Sequence, residues 1–248
     1  SGAQYAASAI PALRDHEATF AIVLVALLTL VNLRGVKESG RFFAIPVYLF
    51  MFAIGVTAVV GFLRHLSGNL PMAESATFEL VAQPGFDEGL TGLAGAFLIA
   101  RAFASGCAAL TGVEAISNGV PAFQKPKSKN AATTLALLGG ISALMIMVIL
   151  FLAKLTGVHY AENPHEQLSS GGQALPVDYV QHPVIGQLAE AVFQGVPVAF
   201  YIVSAVTGLI LVLAANTAFN GFPVLGSILA KDGYLPRQLH TRGDRLAF

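Results

Sequence analysis

The sequence predicts an all-α integral membrane fold, and three observations carry that prediction. Of its 248 residues, 55% are hydrophobic and 11% charged, where a soluble domain carries about 25% charged residues. The apolar residues gather into five stretches of about membrane length. The basic residues fall in every second loop between them, as the positive-inside rule requires.

The stretches come in order. Residues 1–14 read as the end of one span and its exit, closed by Pro11. Residues 18–33 (ATFAIVLVALLTLVNL) form a first full span, slightly short of the ~20 residues a crossing needs, so flanking residues are expected to extend it. The second span covers 42–65 and tolerates Pro46 near its start if neighbours satisfy the freed carbonyl. The third fills 92–120, and Ser105-Gly106-Cys107 interrupts it, so a discontinuous helix is expected near 105–112. The fourth covers 131–155, where Gly139-Gly140 would permit close helix contact. The fifth covers 196–222 and is polar at Ser204, Thr207 and the Asn216-Thr217…Asn220 end.

Loops 34–41 and 121–130 and the tail 223–248 hold most of the basic residues, including Lys125, Lys127, Lys129 and Lys231. Loops 66–91 and 156–195 lack Lys and Arg and hold most of the acids. The basic loops are therefore expected in the cytoplasm. In the second acidic loop Val184, Ile185, Leu188 and Val192 share a helical face, which predicts a short amphipathic helix covering the outer mouth. In the tail, PVLGSILAKDGYLP predicts a short interfacial helix ended by Gly233 and Pro236.

Several function classes fall away. Net charge is zero, which argues against a nucleic-acid partner, and one cysteine excludes an intrachain disulfide or a cysteine-rich metal site. There is no phosphate-binding GxxxxGK[ST], no HExxH and no GxSxG, and His165-Glu166 lacks the second histidine of a zinc peptidase. No enzyme activity and no cofactor is expected. The chain opens in mid-pattern without Met and is read as a piece of a longer protein.

The chemistry concentrates in the broken span. A carboxylate at bilayer depth costs roughly 2.5–3.5 kcal/mol on insertion scales, so Glu114 is expected to be functional. Thr111 lies three residues before it, on the same face of a helix. A hydroxyl and a carboxylate are hard ligands suited to an alkali cation or an ammonium group, and Gly106 and Gly112 allow unwound carbonyls to turn inward. Glu114 is a candidate proton carrier; the competing reading has it pair with a basic group on another helix. Arg101 is either a gate partner or a partner of loop acids. Cys107 reads as a small packing residue. Asn216 and Thr217 are possible accessory ligands, with hydrogen bonding between helices as the simpler reading.

The run TGVEAISNGVPAFQKPKSKNAATTL resembles the sixth span, inner loop and seventh span of the amino acid–polyamine–organocation (APC) superfamily of transporters. Upstream NLRGVKESGRF resembles that family's loop between spans four and five, and downstream FPVLGSILAKDGYLPRQL its inner helix after span eight. The resemblance implies a LeuT-like fold of two inverted five-span repeats, with this chain running from the end of span three to span eight. Many amino-acid permeases place a bulky aromatic where this chain has Ala108. The spellings SGCAALTGVEAISN and LAANTAFNGFP look more like the branch that imports potassium with protons. In that branch the residues matching Thr111 and Glu114 take part in cation binding, which makes them the potassium ligands to expect here. The alternative is an amino-acid/proton symporter of the same fold. The partners implied are the lipid bilayer of the cell membrane, a small cation or amino-acid substrate, the remaining spans of the transporter and, in a homodimer, a second copy.

Overall fold

The computed structural model describes the chain except residues 1, 14–15, 34–39, 82–91, 108–115, 118–119, 121–122, 177 and 241–248; at 11, 33, 40–43, 94, 217–224 and 239–240 it describes the backbone alone. The fold is helical. Helix α1 covers Gly2–Ala9, α2 Glu17–Leu33, α3 Gly40–Leu66, α4 Gly92–Cys107 and α5 Lys127–Thr156. The short α6 covers Pro164–Gln167, α7 Val184–Val192 and α8 Pro197–Lys231. Three of these are long and apolar enough to cross a membrane: Ala44–Leu66, Lys127–Thr156 and Pro197–Asn216. Glu17–Asn32 and Gly95–Cys107 are shorter apolar helices. In an environment without water only a helix satisfies its backbone groups internally, so such stretches have little alternative.

The chain divides into two compact units. The first comprises Ser1–Ala76, Leu155–Val158 and Val180–Phe248. Here α8 is the central element, in contact with α1, α2, α3 and α7. Glycines stand where α1 meets α8: a Cβ on Gly208 would make an ordinary contact with Tyr5 Cβ at 3.5 Å, and one on Gly2 with Val212 Cγ2 at 3.5 Å. Small residues at such a crossing let backbones come close, which is how helices pack where lipid removes the hydrophobic driving force. A buried cluster of Ala53, Ala189 and Val203 joins α3, α7 and α8, with Ile185, Phe193 and Phe200 packed against it.

The amphipathic helix expected in the second acidic loop is present as α7. Leu188 and Val192 are buried, and Ile185 packs on the same cluster. Fully burying a Leu or Val side chain contributes roughly 1.5–3 kcal/mol, enough to hold a nine-residue helix that would not form alone.

The second unit comprises Thr77–Lys154 and His159–Tyr179. It contains a feature the sequence reading missed, a three-stranded antiparallel sheet in the order β1 (Phe78–Leu80), β2 (Leu168–Ser170), β3 (Gln173–Ala174). Phe78 pairs with Ser170 and Leu80 with Leu168. Gly171 and Gly172, with φ of 59° and 78°, make the tight connection from β2 to β3, a left-handed backbone that glycine adopts without steric cost. Ala161, Leu168 and Leu175 are buried beneath it, and Phe78 meets Tyr179 edge-on at 5.3 Å between centroids.

One local expectation needs correction. The interfacial helix expected after residue 222 is not separate, because α8 runs unbroken through Pro223 to Lys231. At 1.5 Å per residue its 35 residues span about 52 Å, well beyond a ~30 Å hydrocarbon core. The stop is where it was expected, with Gly233 in the left-handed region at φ 83°. Gly139-Gly140 makes no close helix contact among the described residues, since a Cβ at either would meet nothing within 4 Å. Only 6% of the apolar window of α5 is buried.

Candidate functional site

The expected cation site falls mostly outside the described residues. That holds for Ala108, Thr111, Gly112 and Glu114; of its neighbours, Gly106 and Cys107 stand at the end of the described part of α4. Gly106 has open space where a Cβ would be, and Cys107 is an exposed free thiol. Earlier in α4 Arg101 reaches a loop acid: its Nη2 lies 3.4 Å from Glu162 Oε2, and both side chains are about three-quarters exposed, at 75% and 78%. In water such a pair contributes ~0–1 kcal/mol.

The polar end of α8 is described further. Asn216 is buried, and its Oδ1 accepts a hydrogen bond from Asn32 Nδ2 of α2 at 2.6 Å. The second N–H of Asn32 goes to Leu28 O at 2.8 Å. Both donors of that amide are thus engaged, which fixes its orientation. Asn216 thus joins α8 to α2; the side chain of Thr217 lies outside the described residues. Earlier in α8, Thr207 donates to Val203 O at 2.7 Å, as Thr57 of α3 does to Ala53 O at 2.8 Å. Such back-bonding satisfies a hydroxyl in an apolar helix. Ser204 is also buried, and its Oγ has no hydrogen-bond partner among the described residues.

At the start of α5, Lys125, Lys127 and Lys129 are exposed. Asn130 Nδ2 donates to Gln124 O at 3.0 Å, and Thr133 and Thr134 bond back to Lys129 O and Asn130 O. The Asn130 bond ties the preceding loop to the first turn of α5.

A polar chain that sequence reasoning did not find runs through the first unit. Ser75 Oγ donates to Gln187 Oε1 at 2.5 Å, and Gln187 Nε2 donates to His182 O at 2.8 Å. Ser75 is 0% exposed and Gln187 1%. A buried amide engaged at both ends is a strong positional constraint. Its signal in the sequence was weak: a lone Gln inside the apolar face that predicts α7. Among the described residues no group of three or more His, Cys, Asp or Glu could hold a metal ion.

Three helices long and apolar enough to cross a membrane, with a side-chain hydrogen bond between α2 and α8, define a polytopic membrane protein. A model of the amino acid permease family matches residues 1–247, and the chain belongs to that family. The family implies the LeuT-like inverted-repeat fold. The chain is also 41% identical over 251 residues to the potassium transporter KimA of Bacillus subtilis (strain 168), a match covering 100% of this chain and 36% of the relative. It therefore spans about a third of the length of that curated relative.

Proposed function

We propose that the protein to which this chain belongs is a secondary active transporter of the cell membrane that takes up potassium together with protons. The observation that carries the reading is the 41% identity along the entire chain to a potassium transporter, joined to the Thr-Gly-Val-Glu run at 111–114. In this reading Thr111 and Glu114 supply oxygen ligands to a desolvated potassium ion, and Glu114 carries the coupled proton. Gly106 and Gly112 permit the unwound backbone, and Ala108 leaves the room an aromatic side chain would fill. Asn216 and Thr217 act as accessories, Asn216 by holding α8 to α2. Five spans at about 18–33, 42–65, 92–120, 131–155 and 196–222 place the basic loops in the cytoplasm.

The family's own description, amino acid permease, favours a second reading, an amino-acid/proton symporter. The two separate in proteoliposomes containing the full-length protein. With an inward proton gradient, potassium is expected to enter, its entry to collapse when the gradient is abolished, and a panel of amino acids not to compete. Uptake of an amino acid that ignores potassium would reverse the choice.

A further inference from the structure

We infer that Lys125, Lys127 and Lys129 form a collar that docks the phosphates of anionic lipids in the leaflet α5 enters at its N-terminal end. The collar would serve the protein in the same way whichever solute is transported.

Depth comes from the helix itself. Helix α5 begins at Lys127 and runs 30 residues to Thr156. Between Lys129 and Lys154 it carries no charged side chain. At 1.5 Å per residue that interval spans about 37 Å, more than the ~30 Å hydrocarbon core and less than the ~40–45 Å that includes the headgroup regions. With the apolar run centred in the bilayer, Lys129 and Lys154 stand at headgroup depth on opposite sides. Lys127 and Lys125 lie just beyond Lys129.

The two ends are unequal in charge. One carries Lys154; the other has three lysines in residues 125–129 and no acid in the first turn of α5. The nearest acids along the chain are Glu114 before them and Glu162 after them. All three lysines are exposed, and Lys125 and Lys129 make no ion pair among the described residues. The segment therefore concentrates positive charge that its sequence neighbours do not neutralise.

The arrangement favours lipid over a protein partner. At 3.6 residues per turn Lys127 and Lys129 start about 200° apart around the helix axis. Asn130 N donates to Pro126 O at 3.0 Å and Asn130 Nδ2 to Gln124 O at 3.0 Å, which keeps Lys125 beside that first turn. Charges on different sides of a helix end suit headgroups, which surround it, better than a protein, which meets one face. Basic residues next to a membrane helix attract anionic headgroups, and the lipid phosphodiester is the anion found at this depth.

The test uses the full-length protein in nanodiscs with trace phosphatidylglycerol or phosphatidylcholine, each carrying the same photoactivatable group near its headgroup. Crosslinks to residues 123–134 are quantified by mass spectrometry. At low salt phosphatidylglycerol is expected to label this segment about fivefold or more above phosphatidylcholine, the enrichment that the attraction of one lysine supplies. Raising salt from ~0.1 M to ~1 M shortens the screening length from about 10 Å to about 3 Å and should erase most of that preference. Lys125→Gln, Lys127→Gln and Lys129→Gln together should abolish it; the same three changed to Arg should keep it, as should Lys154→Gln. Inorganic phosphate should compete no better than chloride at equal ionic strength. Equal labelling by the two lipids in the wild type, a preference that survives the three Gln substitutions, or a selective loss of labelling in phosphate overturns the collar. The wild-type comparison and its salt dependence need no variant, so they decide the matter even if a variant fails to fold.

Discussion

Asn32 Nδ2 donates to Asn216 Oδ1 across 2.6 Å, joining two helices whose paired residues stand 184 positions apart in sequence. This bond constrains how α2 and α8 rotate against each other. Hydrogen bonds between membrane helices contribute about 0.6 kcal/mol on average and up to ~2 kcal/mol. Asn32→Leu and Asn216→Leu should each lower the stability of the full-length protein by that order. Their double-mutant cycle, read by thermal unfolding in detergent, should return a coupling energy of the same sign and size; additive losses would mean the bond is not made.

Gly157 is required twice over. Its φ of 71° is left-handed, and a Cβ there would lie 2.9 Å from Met72 Cε and 3.1 Å from Ala76 Cβ. Gly68 shares the φ of 71° but has open space around it. Gly68→Ala should cost the backbone strain alone, about 1–2 kcal/mol. Gly157→Ala should cost more, because the neighbours must also shift. Paired melting curves of the two variants check the ordering.

Gln187→Leu keeps the volume of a buried side chain and removes two buried hydrogen bonds, those with Ser75 Oγ and His182 O. A loss of ~1–3 kcal/mol is expected. Arg101→Ala is the contrast: it removes an exposed ion pair and should change stability by less than ~1 kcal/mol. Measuring both in one background separates buried from solvated polar contacts.

How much of this was legible in the sequence depends on the residues. The position of α7 followed from Val184, Ile185, Leu188 and Val192, because a 3.6-residue period is visible over nine residues. The sheet was not legible, since strands of two or three residues such as Gln173–Ala174 are too short to show alternation. The last span was expected to stop near 222, with a separate helix after it, yet α8 continues. A Pro or Gly lowers helix propensity locally, and a long apolar helix with packed neighbours absorbs that cost. The family was legible from the run at 111–135, the most distinctive spelling in the chain. Asn216 offered two readings, ligand or tie, because an amide's role is decided by what lies opposite it, and Asn32 is far away in sequence.

The central claim is that Glu114 carries the proton that accompanies potassium. Glu114→Gln in the full-length protein keeps the shape of the side chain and removes its titration. Potassium uptake into proteoliposomes, driven by an inward proton gradient and normalised to reconstituted protein, is expected to fall to background in this variant. Uptake at the wild-type rate, with the same dependence on the gradient, would contradict the account.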